Sequence, residues 1–159
     1  MKGGSIVSFN IEEQYDKIYR YNYFKLHNRE LAEEVTQETF LRYLQNYNCI
    51  TTTSTLKCLY TIARNLCVDN YRKPQTESLD ESILDNTMEE TLLTKLMVQT
   101  ALSKLSLDEK ELLLLRYVNE VPIATLSKLY GLSRFAIYRK LKFTSNRFRE
   151  ELRKEDYYG

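Results

Sequence analysis

The sequence predicts an all-α protein built from two small helical domains, and three observations support that prediction. The 159 residues include only four Gly and two Pro, which is too few for a turn-rich β fold. Apolar residues recur three or four positions apart in several segments, as they do along one face of a helix. An acidic stretch without Lys or Arg lies between two groups of such segments, as expected of a linker.

Three helices are predicted in the first half of the chain. The first covers about residues 11–27, where tyrosines recur every four positions, and the second covers about residues 29–47. Residues 48–54 are polar and β-branched, and they are predicted to form a loop. The third helix is expected over about residues 55–72 because its apolar residues form one stripe and Pro74 cannot continue a helix.

The acidic stretch separates this group from the second half. Residues 74–90 carry six acids and no base, which gives a charge of −6. A fourth helix is predicted over about residues 88–105 and a fifth over about residues 107–119. Ser106 and Glu109 have the spacing of a capping box, in which each side chain accepts from the other residue's backbone N–H. This motif predicts where the fifth helix begins.

The segment after residue 120 has the features of a helix-turn-helix. Pro122 is placed to be the first residue of a short helix. Ser127, Gly131 and Ile137 then supply a small residue at the helix crossing, a glycine for the left-handed turn and a branched apolar anchor. Ser133 is a suitable cap for the following helix. The pattern therefore predicts two helices joined by a tight turn.

The second helix of this motif, predicted over about residues 134–153, is strongly basic. Residues 133–154 carry a charge of +6 in a chain whose net charge is only +1. With Ile137 and Leu141 facing inward, basic and aromatic side chains lie on the outward face, where they can meet phosphates or base edges. An ordinary solvated basic face is the alternative. Apolar contacts for the motif are expected from Leu126, Leu129, Leu132 and Leu141.

No pattern in the sequence predicts an enzyme. Cys49, Cys58 and Cys67 lack the spacing of a metal or redox motif, and the single His27 has no accompanying ligand set. No nucleophile–base pair or phosphate-binding loop is present. We therefore expect no catalytic residue, no metal and no cofactor. Neither a signal peptide nor an apolar run of about 20 residues is visible, so we expect a cytoplasmic protein without membrane insertion.

Three segments resemble conserved regions of bacterial sigma factors. Residues 32–43 (AEEVTQETFLRY) resemble region 2.2, and residues 59–73 (LYTIARNLCVDNYRK) resemble regions 2.3 to 2.4. Residues 107–117 (LDEKELLLLRY), together with the helix-turn-helix, resemble region 4. The segments occur in the family's order and leave no room for a region 3 domain. This layout is similar to that of the extracytoplasmic-function group of sigma factors.

The resemblance implies a non-catalytic subunit that binds RNA polymerase core and directs it to promoters. Residues 1–74 would form the region 2 domain, which docks on core and helps melt the −10 element. Residues 75–88 would be an acidic linker in the RNA exit path, and residues 89–159 would recognise the −35 element. The implied partners are the β′ clamp and β flap of polymerase core, promoter DNA and an anti-sigma factor. The implied location is the cytoplasm, on the nucleoid when bound to polymerase.

The resemblance also implies three sets of contact residues. The set for polymerase core is Gln37, Glu38, Leu41, Arg42 and Gln45. The set for the −10 element is Tyr47, Asn48, Lys57, Tyr60, Arg64, Asn65, Asn70, Arg72 and Lys73. A loop around residues 47–55 would hold a flipped base of this element. The set for the −35 element is Ser133, Arg134, Phe135, Tyr138, Arg139 and Lys142. Two departures from the family pattern are Cys58, where tryptophan is common, and the Phe135-Ala136 pair in the last helix.

Two other functions are compatible with parts of the sequence. A helix-turn-helix repressor or activator would bind duplex DNA as a dimer without polymerase, and its first half would be an effector or dimerisation domain. An enzyme would need Cys67 or His27 as its reactive group. Binding to polymerase core would distinguish a sigma factor from the regulator, and full transcription activity after Cys→Ser replacement at all three cysteines would exclude the enzyme.

Overall fold

A computed structural model describes residues 10–45, 52–70 and 89–158 of the chain. Every regular element in these ranges is a helix, which confirms the predicted all-α class. None of the helices in these ranges is both long enough and apolar enough to cross a bilayer.

Seven helices lie in the described ranges. In chain order they are α1 (Ile11–Leu26), α2 (Arg29–Gln45), α3 (Thr52–Asn70), α4 (Glu89–Ser103), α5 (Leu107–Leu113), α6 (Ile123–Tyr130) and α7 (Arg134–Tyr158). One π-helical turn, Leu114–Val118, follows α5 directly.

Two helices are longer than predicted. Helix α3 begins at Thr52, three residues before the predicted start at about residue 55. Helix α7 continues past residue 153 to Tyr158. Near its end, Arg153 pairs with Glu150 at 3.3 Å and Lys154 pairs with Glu151 at 3.5 Å. Such pairs three residues apart support a helix on its exposed surface.

Local hydrogen bonds define several helix ends. The predicted capping box is confirmed, with Glu109 N donating to Ser106 Oγ at 3.1 Å and Ser106 N donating to Glu109 Oε1 at 2.9 Å. Gly131 ends α6 in the left-handed conformation, with φ of 68°, as predicted. Pro122 is the N-cap of α6 rather than its first residue, because its ψ of 152° is extended and Ile123 begins the helix. The proline ring restricts φ and leaves ψ free to take this value.

The described residues form two compact units. The first contains α1, α2, α3 and α6, and the second contains α4, α5, the π-helical turn and α7. The predicted domain bounds of residues 1–74, 75–88 and 89–159 stay a prediction.

The core of the first unit combines aromatic packing with a buried polar network. The rings of Tyr21 and Tyr60, both fully buried, meet edge to face with centroids 5.5 Å apart. Asn22 on α1 donates from Nδ2 to Thr36 Oγ1 on α2 at 2.9 Å, and Cys67 Sγ on α3 donates to Asn22 Oδ1 at 3.2 Å. These bonds satisfy buried polar groups and tie the three helices together.

Helix α6 packs against α3 in this first unit. The Arg64 guanidinium lies over the Tyr130 ring, 5.2 Å from its centroid, in a cation–π contact. On α6, Leu126 and Leu129 are buried as predicted, whereas Leu132, just beyond the helix, is exposed. Leu132 follows the left-handed turn at Gly131, which redirects the chain away from the helical stripe.

The second unit contains an ion pair between helices. Arg147 on α7 donates from one nitrogen to both Glu109 oxygens, each at 2.8 Å, and from another to the Lys104 carbonyl oxygen at 3.2 Å. The hydrogen bond from the Ser106 backbone holds the pKa of Glu109 below its usual value, and Arg147 lowers that pKa further while burial opposes it. The pair therefore links α7 to the capped start of α5.

Candidate functional site

The predicted docking residues share the outer side of α2. Gln37, Leu41, Arg42 and Gln45 are exposed, and Glu38 is half-buried. The opposite side of the helix is buried by Ala32, Val35, Thr36, Thr39, Phe40 and Tyr43. This arrangement leaves the whole docking set accessible to a partner.

Leu44 belongs to the same exposed surface, on the side of α2 opposite Val35. It is 66% exposed, and Leu41, three residues earlier, is 51% exposed. Leu44 lies nine positions after Val35, and at about 100° per residue this places it half a turn away around the helix. The spacing alone therefore indicates that Leu44 is on the side opposite Val35. The two leucines give the outer side of α2 an apolar centre among polar and charged side chains.

Two residues that sequence reasoning missed hold Gln37 in place. Glu33 Oε2 accepts a hydrogen bond from the Tyr15 hydroxyl at 2.7 Å and one from Gln37 Nε2 at 3.1 Å. The Tyr15 ring also stacks on Phe40, with centroids 5.3 Å apart. Burial raises the pKa of Tyr15 to about 12, with a further contribution from Glu33. The hydroxyl therefore keeps its proton at neutral pH and continues to donate to Glu33.

Glu38 and Arg42 form an ion pair on the same surface. Arg42 Nε donates to Glu38 Oε2 at 2.8 Å, and both side chains are roughly half exposed. An exposed pair four residues apart stabilises a helix by only about 0.3–0.5 kcal/mol. The pair therefore contributes little to the fold, and it presents a fixed pattern of charge to a partner.

The predicted −10 residues have different surroundings in the structure. On α3, Lys57 and Asn65 are exposed, and Asn70 donates from Nδ2 to the Leu66 carbonyl oxygen at 2.7 Å. Arg64 is half-buried and already engaged with the Tyr130 ring, so a DNA contact by Arg64 competes with that ring. The remaining members, Tyr47, Asn48, Arg72 and Lys73, lie outside the described residues.

Tyr60 does not fit the −10 set. Its side chain is fully buried against Tyr21, so in this structure the ring offers no face on which a base could stack. The physical reason is its place in the apolar stripe of α3, where Leu56, Leu59 and Ala63 are also buried.

The predicted −35 residues are all exposed at the start of α7. Ile137 and Leu141 are buried, which confirms the predicted inward side of this helix. The exposed set is Ser133, Arg134, Phe135, Tyr138, Arg139 and Lys142. Two aromatic rings and three basic groups therefore lie on the accessible surface of the first turns of α7.

The side chains that an enzyme would need have other surroundings. Cys67 is buried, and its thiol donates to Asn22 in the core network. His27 is exposed and adopts the left-handed conformation that ends α1, with φ of 56°. These positions give Cys67 a structural contact and place His27 at a helix end.

Comparison with known proteins relates the first three helices to one family. Residues 11–77 match the model of the sigma-70 region 2 family. The match begins at the first residue of α1 and takes in α2 and α3, so it includes the docking surface and the α3 set. No curated protein matches the chain. The match covers fewer than half of the 159 residues, and it makes the first three helices similar to region 2 of the sigma-70 family.

Proposed function

We propose that the chain is an extracytoplasmic-function type sigma factor that binds RNA polymerase core through α2. It recognises the −10 element with α3 and the −35 element with α7, and it carries out no catalysis of its own. The observation that carries this proposal is the outer surface of α2, which lies within the region 2 match and keeps Leu41 and Leu44 in solvent.

The α2 surface has the composition of a protein-binding site. Interfaces commonly have an apolar centre and a polar rim that sets orientation. Leu41 and Leu44 supply the centre, Gln37 is positioned by Glu33, and Arg42 with Glu38 supplies fixed charges of both signs. A helical surface of the β′ clamp, with its own apolar and charged side chains, is the partner that we propose for it.

The exposed side of α3 is suited to single-stranded DNA. Lys57 can meet a phosphate, Asn65 can bond to a base edge, and Arg64 can do either once it leaves Tyr130. Binding to the separated strand offsets the free energy of unpairing, so no nucleotide hydrolysis is needed to hold the −10 element open.

The start of α7 is suited to duplex DNA. Residues at the N-terminus of a recognition helix contact base edges in the major groove, and Arg is the residue that most often binds guanine there. Arg134, Arg139 and Lys142 are all exposed on these turns. Phosphate contacts by these groups predict that affinity falls steeply with salt.

The remaining parts of the proposal follow the same family layout. The bounds are residues 1–74 for the docking domain, 75–88 for the linker and 89–159 for the −35 domain. The second domain would contact the β flap, an anti-sigma factor would hold the protein inactive, and the protein would lie on the nucleoid with polymerase.

The test is transcription by purified protein mixed with polymerase core on a library of genomic fragments. We expect promoter-specific run-off products that core alone does not make. The combined Gln37→Ala and Glu38→Lys substitutions should weaken core binding. The matched control, Gln14→Ala with Glu12→Lys on α1, makes the same chemical changes outside the surface and should leave core binding unchanged.

Failure to bind core would end the proposal. If the protein instead bound a duplex operator tightly as a dimer, without polymerase, the helix-turn-helix repressor or activator would be the better description. Equal loss of core binding in both double variants would show that the α2 surface has no particular role.

A further inference from the structure

Phe135 has the most exposed large apolar side chain in the described part of the chain, at 77%. It is the second residue of α7, between the exposed bases Arg134 and Arg139. Single exposed apolar residues are common on protein surfaces, so exposure alone does not define a role. Its position among DNA-binding groups at a helix start is what distinguishes this ring.

The orientation of the ring is set by the buried side of α7. Ile137 is fully buried and lies two residues on, a rotation of about 200° along the helix. Leu141, one turn later, is buried on the same side. Phe135 is therefore directed away from the core, on the accessible side that also carries Tyr138.

We propose that Phe135 contacts the 5-methyl group of a thymine and is a specificity-determining residue of the −35 contact. This inference rests on the proposed function of α7. A phenyl ring has no donor or acceptor for phosphate oxygens or polar base edges. The thymine methyl is the apolar group that the major groove presents, and Phe is among the side chains that contact it. Arg134 and Arg139 would orient the helix, and Phe135 would select thymine at one position.

The expected effect follows from the size of one methyl group. Removing the burial of a single methyl or methylene group weakens binding about fourfold. Replacement of thymine by uracil in the duplex makes this change alone, because pairing and all polar edges are retained. A fourfold difference in Kd is readily measured by competition between two labelled duplexes.

The experiment uses the full chain bound to polymerase core. A duplex is first selected by this holoenzyme from a library with a randomised −35 element. Each thymine in the selected element is then replaced singly by uracil. We expect one position at which uracil weakens wild-type binding about fourfold. Phe135→Ala should weaken binding to the thymine duplex by a similar factor and should no longer distinguish uracil from thymine.

Phe143→Ala provides the matched control. Phe143 is also an exposed ring of α7, at 62%, but it lies eight residues further along the helix, about 12 Å away. This variant should keep the preference for thymine. Because both rings are in solvent, neither substitution is expected to disturb folding, which circular dichroism would verify.

The inference would be overturned if the wild-type holoenzyme bound every uracil-substituted duplex as well as the thymine duplex. A thymine preference that persists in Phe135→Ala would also overturn it. In both cases the proposed function would stand, because the holoenzyme would still select a −35 element. Selection of no −35 sequence at all would instead overturn the proposed role of α7.

Discussion

The apolar centre of the α2 surface offers a sharp test of the proposed binding to polymerase core. Leu41 and Leu44 are 51% and 66% exposed, so between half and two thirds of each side chain can be buried by a partner. Fully burying a leucine side chain stabilises by about 1.5–3 kcal/mol. Leu41→Ala with Leu44→Ala should therefore cost about 2 kcal/mol of binding free energy, which is about a 30-fold increase in Kd for core.

The same substitutions should leave the fold intact. Both side chains lie largely in water, and alanine is the best helix former, so we expect the free energy of unfolding to change by less than about 0.5 kcal/mol. The matched control is Ile11→Ala with Val68→Ala, which removes two aliphatic side chains that are 50% and 62% exposed on α1 and α3. This control tests whether general loss of surface hydrophobicity weakens binding.

The assay is fluorescence anisotropy of labelled protein titrated with polymerase core, with thermal denaturation of each variant in parallel. A Kd for the leucine double variant equal to the wild-type value would refute the argument. So would an equal loss in the Ile11 and Val68 control, because the surface of α2 would then have no special part in docking.

Four further predictions concern the interior, the turn and the −35 surface. Glu109→Gln should lower the unfolding free energy, measured by denaturant titration, above about pH 5. The folded-state pKa of Glu109 is depressed, so the carboxylate charge is lost as pH falls through that pKa. The difference between the variant and the wild type should therefore shrink at lower pH. Asn22→Ala should cost about 1–3 kcal/mol, measured by urea unfolding, since two buried hydrogen bonds are lost. Gly131→Ala should cost about 1–2 kcal/mol in the same assay through its φ of 68° alone, since a Cβ there has no atom within 4 Å. Arg139→Ala should weaken binding to the −35 element, measured by competition between duplexes. If Arg139 contacts a base, the loss should be about 1–3 kcal/mol and should depend on the sequence at one base pair. If it contacts a phosphate, the loss of affinity should be the same for all sequences.

The hydrogen bonds around Glu33 show how a binding surface can depend on a residue of another helix. Tyr15 lies on α1, yet its hydroxyl fixes the carboxylate that holds Gln37 on α2. The raised pKa of Tyr15, about 12, means that this donor stays protonated across the physiological range. The shape of the docking surface is therefore insensitive to pH near neutrality as far as Tyr15 is concerned.

Local chemistry made the start of α5 and the end of α6 predictable. The Ser106–Glu109 capping box and the left-handed turn at Gly131 depend on residues at most a few positions apart, so their types and spacing were sufficient. The inward placement of Ile137 and Leu141 followed from helical periodicity in the same way. The resemblance of residues 32–43 to region 2.2 also predicted which side chains of α2 are accessible.

Contacts between distant residues were not predictable. The hydrogen bond from Asn22 to Thr36 and the edge-to-face contact of Tyr21 with Tyr60 each join two helices, and no local pattern pairs these residues. The bond from Tyr15 to Glu33 joins residues 18 positions apart, and no local pattern marks it.

The sequence by itself determined the all-α class, the capped helix ends, the buried side of α7 and the family resemblance, since each depends on neighbours along one helix or on a short motif. Only the tertiary structure decided which residues hold Gln37, which ring packs against Tyr60 and which side chains bond to Asn22. Those outcomes depend on which helices pack together, because the pattern along one helix shows which side is buried and does not show what covers it.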